Sequence, residues 1–120
     1  MTKRMILVTR RSDVSPENFR KYHTDRHAPI VAKMPGLRRY VQNPTFPAPN
    51  GEENEVSGIA EVWYDDEAAF QAAMHSPEAA AANESLTRFV DLSKTRVVNV
   101  EEHVVISCAP PIMRYKAPPR

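Results

Sequence analysis

At 120 residues, 42% hydrophobic and 26% charged, the chain has the size and composition of one globular domain that can bury a core without staples. A net charge of +1 with Lys and Arg scattered leaves no electrostatic footprint for nucleic acid or for an anionic membrane surface. The single cysteine, Cys108, excludes an intramolecular disulfide, and no stretch approaches the roughly 20 apolar residues of a bilayer span or the apolar core of a secretory signal. A cytoplasmic location and no membrane partner are expected.

Residues 3–10 enclose a β-favouring apolar run, Met5 to Val8, and predict the first strand. Ser15 is suited to cap a helix, Pro16 to open it, and Glu17 to favour its positive end. From there Phe19, Tyr22, His23, Arg26, His27, Ile30, Val31 and Met34 recur at spacings of three and four, which makes one broad helical face. Pro29 falls inside this pattern and cannot donate to the carbonyl of Asp25, so the helix kinks or restarts there. That bend is either only a bend or one that frees His27 to point into a cavity. Pro35-Gly36 turns the chain into a second strand, residues 37–43, which Pro44 ends.

Residues 45–55, rich in Pro, Asn and Glu, read as an exposed loop. A third strand, residues 56–64, places Ile59, Glu61 and Trp63 on one face and Ala60, Val62 and Tyr64 on the other. Asp65-Asp66-Glu67 caps an alanine-rich helix to Met74, and Ser76-Pro77-Glu78 caps another to about Val90. Residues 95–106 form the last strand. The segment 107–120, with four prolines, reads as an extended arm beyond a domain spanning residues 1–106.

The order β-α-β-β-α-β predicts an α+β, ferredoxin-like fold: an antiparallel four-stranded sheet with both helices on one face. The other face is left open and apolar. Two such sheets packed face to face would cover each other, so a two-fold homodimer is expected.

The pattern formed by Phe19, Tyr22, His27, Ala28 and Pro29, followed by Pro35-Gly36-Leu37-Arg38, Tyr40-Val41 and Asn43, resembles the EthD-like family. So do the stretches from Gly58 to Asp65, Ser76-Pro77-Glu78, Arg88 to Asp91, and Glu101 to Val105. The resemblance covers nearly the whole chain up to about Ile106. It implies the dimeric α+β barrel, whose members include methylmuconolactone isomerases, polyketide decarboxylases and dehydratases, cofactor-free quinone-forming monooxygenases and haem-binding branches. In the cofactor-free members the ligand lies within each subunit, between sheet and helices, and the His of the His-Ala-Pro motif is often placed there. His27 is the matching position, whereas His23 is not part of that motif.

An imidazole with an ordinary pKa near 6.5 suits proton transfer at neutral pH, and His27 is the candidate general acid or base. The plain alternative is a histidine bonded into the core. Tyr22, His23, Arg26, Tyr40, Asn43, Glu61 and Trp63 are candidate substrate contacts: flat apolar area from the aromatics, orientation from hydroxyl and amide. Glu61, a carboxylate on a central strand, must pair, be solvated or sit in a polar cavity. Arg26 and Arg39 are candidates to neutralise a carboxylate or developing enolate.

The i, i+4 spacing of His23 and His27 is that of helical metal ligands, but no Glu lies between them and a third ligand (His75, His103 or Glu61) would have to come from the fold. Three glycines and the lack of a G-x-S-x-G elbow disfavour nucleotide cofactors and serine hydrolysis. No metal and no cofactor are expected. The expected function is that of a small cofactor-independent enzyme acting on a ring-shaped organic metabolite by His-mediated proton transfer, of isomerase or lyase type. The alternatives are a non-catalytic dimeric binding protein and a cofactor-free monooxygenase.

Overall fold

The first helical arm begins where the capping chemistry puts it. In the computed structural model, which describes residues 1–108, Ser15 Oγ accepts the Asn18 N–H at 3.1 Å and Pro16 opens helix α1, Pro16–Tyr22. The arm does not break at Pro29. It widens into a π-helical turn, His23–His27, and continues as α2, Ala28–Val31. The Ala28 N–H reaches back to the His23 carbonyl, five residues rather than four, and the missing Pro29 donor follows directly. The expected kink is thus realised as a local change of pitch. Gln42 fixes it to the sheet: Nε2 donates to the same His23 carbonyl at 2.9 Å and to the Tyr40 hydroxyl at 2.7 Å.

The strands are β1 (Thr2–Val8), β2 (Arg39–Pro44), β3 (Gly58–Tyr64) and β4 (Arg96–Val100), in sheet order β2-β3-β1-β4 with every pair antiparallel. Helices α3 (Glu67–Met74) and α4 (Pro77–Leu86), capped by Asp66 and Ser76, complete the layer over one sheet face, and a 3₁₀ turn, Leu92–Lys94, leads into β4. This is the α+β, ferredoxin-like fold expected from the element order.

Register decides which side chains see the helices. Ile6 faces Ala60 and Val97, and Val62 faces Arg4 and Tyr40, on the helix-covered side. Val62 and Tyr64 pack there with Met34, Ala73, Ala79 and Ala82, and Val8 with Phe19, Phe89 and Val90. The alternate positions, Lys3, Met5, Leu7, Val41, Ile59, Glu61, Trp63 and Val98, lie on the open side.

Some strand ends differ from the sequence expectation. The strand expected over residues 95–106 is Arg96–Val100, and its last pair is Lys3 with Val100. Val104, Val105 and Ile106 follow, exposed. Val8 pairs with Gly58, so β3 starts there and not at residue 56. The expected arm over residues 107–120 lies, from residue 109 onward, outside the described residues. Among the described residues no helix is long and apolar enough to cross a membrane.

Candidate functional site

Between the sheet and its helical layer lies a cavity of about 390 Å³. The sheet supplies Arg4, Ile6, Val62, Tyr64 and Val97. The first helical arm and its exit supply His27, Val31 and Met34, α3 supplies Phe70 and Met74, and α4 supplies Ala79, Ala82, Asn83 and Leu86, with Leu92 and Thr95 closing one side. Its walls are mostly apolar, with a few polar groups among them, the usual make-up of a small-molecule site. A wider depression of about 570 Å³ near Arg11 and Asp91 is open to solvent, and its charged groups already have partners: Arg11 with Asp13 at 2.7 Å and Asp91 with Ser93 at 2.6 Å.

His27 is 5% exposed, and its Nδ1 lies 2.9 Å from Ser85 Oγ on α4. Nε2 has no protein partner among the described residues, and none of the buried side-chain nitrogens and oxygens there is left unpartnered. With Nδ1 taken by Ser85, Nε2 is the ring nitrogen left for a ligand, and His27 is part of the cavity wall. A serine hydroxyl both donates and accepts, so either tautomer is compatible with this bond. With Nδ1–H donating to Ser85, the Nε2 lone pair is left free as a base.

His23 stands behind His27. It is 4% exposed and does not line the cavity; its ring packs 5.5 Å from Phe19, 5.7 Å from Phe89 and 5.9 Å from His27, centroid to centroid. Gly58 leaves room for it, since a Cβ there would lie 3.4 Å from His23 Cε1. Burial pushes both imidazoles down to about 4, and for His27 the neighbouring His23 adds to the effect. Both rings are neutral at pH 7. The ordinary value near 6.5 that made His27 attractive in the sequence does not hold in the fold. Among the described residues no three His, Cys, Asp or Glu side chains gather as a metal site, and the i, i+4 pair stands without a third ligand.

The other candidate contacts divide by sheet face. Tyr22 packs on Phe89 at 4.8 Å, and Tyr40, whose hydroxyl burial pushes up, is bound to Gln42; both lie on the helix side but outside the cavity wall. Arg26 is exposed. Asn43, Glu61 and Trp63 lie on the opposite side of the sheet and do not meet His27. Glu61 pairs with Lys3 at 2.8 Å and accepts from Asn43 at 2.9 Å, which together hold its carboxyl below the usual range. Trp63 is sandwiched between Lys3 and Arg39, whose charges sit 4.5 and 4.8 Å from its ring, so Arg39 is on this open side as well.

Two residues of the site escaped the sequence reading, and each had a visible signal. Ser85 falls on the inner stripe of α4 with Ala79 and Ala82, one polar group on an apolar face. Arg4 falls in phase with Ile6 and Val8, a charge at a core position of β1. Ser85→Ala is expected to leave Nδ1 of His27 buried without a partner and to lower stability by about 1–3 kcal/mol, read by chemical denaturation. Unchanged stability would mean that the 2.9 Å contact does not hold the ring.

Fold and cavity together define an α+β, ferredoxin-like protein with a ligand-sized chamber between sheet and helices. The chain belongs to the EthD family: the EthD domain matches residues 11–93. Its backbone is similar to that of an EthD family protein from Bacillus halodurans, with a TM-score of 0.71 at 25% identity over 86% of this chain and 100% of that one. It is also similar to a dimeric protein of ferredoxin-like fold from Bacteroides fragilis (TM-score 0.64, 16% identity, 84% of this chain and 95% of that one). A third similar structure is SnoaB, a cofactor-independent oxygenase from Streptomyces nogalater (TM-score 0.61, 15% identity, 88% of this chain and 95% of that one). No curated protein matches the chain.

Proposed function

We propose that this chain is a small cofactor-independent enzyme that binds a ring-shaped organic metabolite (a lactone, phenol or aromatic polyketide intermediate) in the cavity between sheet and helices. His27 moves a proton there in an isomerisation, elimination or decarboxylation. One observation carries this reading: an imidazole anchored through Nδ1, with Nε2 left free, lines a mostly apolar, ligand-sized chamber.

A base with a pKa near 4 is weak in the empty site, since the best catalytic value lies near the working pH. The ligand changes this. Removing a proton beside a carbonyl leaves an enolate, and an imidazolium facing that negative charge in a low-dielectric chamber is stabilised by it. The same burial that keeps His27 neutral without ligand thus strengthens the ion pair formed during the reaction.

A thermal-shift screen of lactones, phenols and aromatic polyketides against wild type tests this. A ligand at 100 times its dissociation constant stabilises by about 2.7 kcal/mol. Hits are then followed for product and for exchange of ligand C–H in D₂O. Binding without exchange or turnover would favour the non-catalytic binding protein, which the apolar walls also suit. Oxygen uptake with turnover would favour the cofactor-free monooxygenase, a reading that draws on the likeness of fold to SnoaB.

The open sheet face belongs to the same proposal. Met5, Leu7, Val41, Ile59 and Val98 lie on it, and the similar Bacteroides fragilis protein is described as dimeric. A two-fold homodimer through this face would cover them. Val98 is 42% exposed in the single chain, so Val98→Asp is tolerated by the monomer but puts an unpaired carboxylate between two sheets. The dimer is expected to weaken by about 3 kcal/mol or more, over a hundredfold in dissociation constant, seen by sedimentation. An unchanged dimer would place the interface elsewhere.

A further inference from the structure

We propose that Arg4 is the anion anchor of the cavity, and that the ligand is a one- or two-ring, largely apolar compound bearing one ionisable oxygen, an enol or phenol, bound as its oxyanion on Arg4. This rests on the reading of the cavity as a ligand site and names the chemical class that it takes.

Arg4 is 6% exposed and lines the cavity. A buried guanidinium has five N–H groups to satisfy. Glu67 takes only one nitrogen: both of its carboxylate oxygens lie 2.8 Å from Nη2. The N–H groups of Nε and Nη1 have no partner among the described residues, yet no buried side-chain nitrogen there lacks one. Those groups are therefore not sealed off, and Arg4 is part of the cavity wall. Phe70, another wall residue, stacks 4.0 Å under the guanidinium and holds it in place.

Glu67 meets the guanidinium from the solvent side only. The Glu67 side chain is 56% exposed, so its negative charge is screened by water, whereas the guanidinium is not. Among the described residues no carboxylate lines the chamber, which disfavours amines and other cations. A single cationic anchor matches one charged oxygen; a phosphate or dicarboxylate would leave charge unpaired against apolar wall. The volume, about 390 Å³, is at the low end of the ~300–1,000 Å³ typical of small-molecule sites and suits one or two rings. Arg26 and Arg39, the sequence candidates for this role, lie outside the cavity.

The test uses 4-nitro-1-naphthol, whose absorbance reports its ionisation, with its methyl ether as the non-ionisable control. Bound to wild type, the naphthol is expected to ionise at least about one pH unit lower than in water, because an opposite charge at hydrogen-bond distance shifts a group by roughly 1–3 units. The ether is expected to bind at least tenfold more weakly. Arg4→Met should abolish the shift and lower naphthol affinity at least tenfold while leaving the ether unaffected; Arg4→Lys should retain most of the shift, and Glu67→Gln should keep or enlarge it. No saturable binding to wild type, a bound naphthol that ionises at or above its value in water, or a shift that survives Arg4→Met would each overturn the proposal. Where Arg4→Met does not fold, a wild-type naphthol that ionises at or above its value in water still overturns the proposal, and Arg4→Lys tests the assignment to Arg4. His27 is neutral, so His27→Ala should keep the shift; a His27→Ala protein that also retains proton exchange would remove the catalytic reading and leave the Arg4 anchor standing.

Discussion

Between pH 6.5 and 4.5 the fold is expected to lose about 2–3 kcal/mol of stability for each of its two buried histidines. The sign follows from where the protons go. In the unfolded chain His23 and His27 titrate near 6.5; in the folded chain burial holds both at about 4. Above 6.5 neither state binds the proton and the full stability is present. As the pH falls below 6.5 the unfolded state takes up protons that the folded state refuses, and stability falls until the folded rings protonate near 4. Against a total of about 5–15 kcal/mol this is a large fraction. The carboxylates held low by their partners, Asp13, Glu53, Glu61, Glu67 and Asp91, act in a lower window, since their unfolded values are 3.8 for Asp and 4.5 for Glu. Above about pH 5 the window therefore reports chiefly the histidines, and the glutamates join in towards pH 4.5. Denaturant melts at pH 7, 5.5 and 4.5 measure it, and His23→Phe, which keeps an aromatic ring beside Phe19 and Phe89, should reduce the slope by about half. A flat profile from pH 7 to 4.5 would mean that these rings are not buried as neutral groups.

The histidine pair also shows what the sequence made legible and what it did not. The helical face that carries His23 and His27, the caps Ser15, Asp66 and Ser76, and the order of strands are local patterns, and local patterns survive into the fold. Strand faces are a different matter. Alternation separates Glu61 and Trp63 from Val62 and Tyr64, but it does not say which set meets the helices; that is decided by register with β1 and by Met34, Ala73, Ala79 and Ala82 packing on Val62 and Tyr64. Once that side is covered, Glu61, Trp63 and Asn43 belong to the open side, where Lys3 neutralises the carboxylate. The cavity wall is hidden for the same reason. Arg4 and His27 are 23 positions apart, and only the crossing of β1 under the first helical arm places both on one chamber. The pKa of His27 was equally out of reach, because it depends on desolvation by neighbours such as Phe89, 5.3 Å away, that are distant in sequence.

Replacement of His27 is expected to lower turnover of the ligand found by screening by about 10²–10⁴-fold, the usual contribution of a positioned acid or base. The choice of replacement separates chemistry from folding. His27→Ala removes the proton acceptor but also strands the Ser85 hydroxyl and leaves a void. His27→Gln can still bond to Ser85 through its amide yet cannot take a proton, so loss of turnover with a near-wild-type melt assigns the defect to proton transfer. His23→Phe should change turnover by no more than a few-fold, because that ring is packed against Phe19 and Phe89 and not in the cavity wall. The pH profile gives an independent readout. A base already neutral above about 4 gives a kcat/KM that is flat through neutrality and falls only in acid, with no inflection at 6.5. Wild-type rates in His27→Gln would remove His27 from the chemistry; an inflection near 6.5 that His27→Gln abolishes would instead mean that His27 is solvated in solution. Loss of activity in His23→Phe alone would move the base one helical turn back along the same arm.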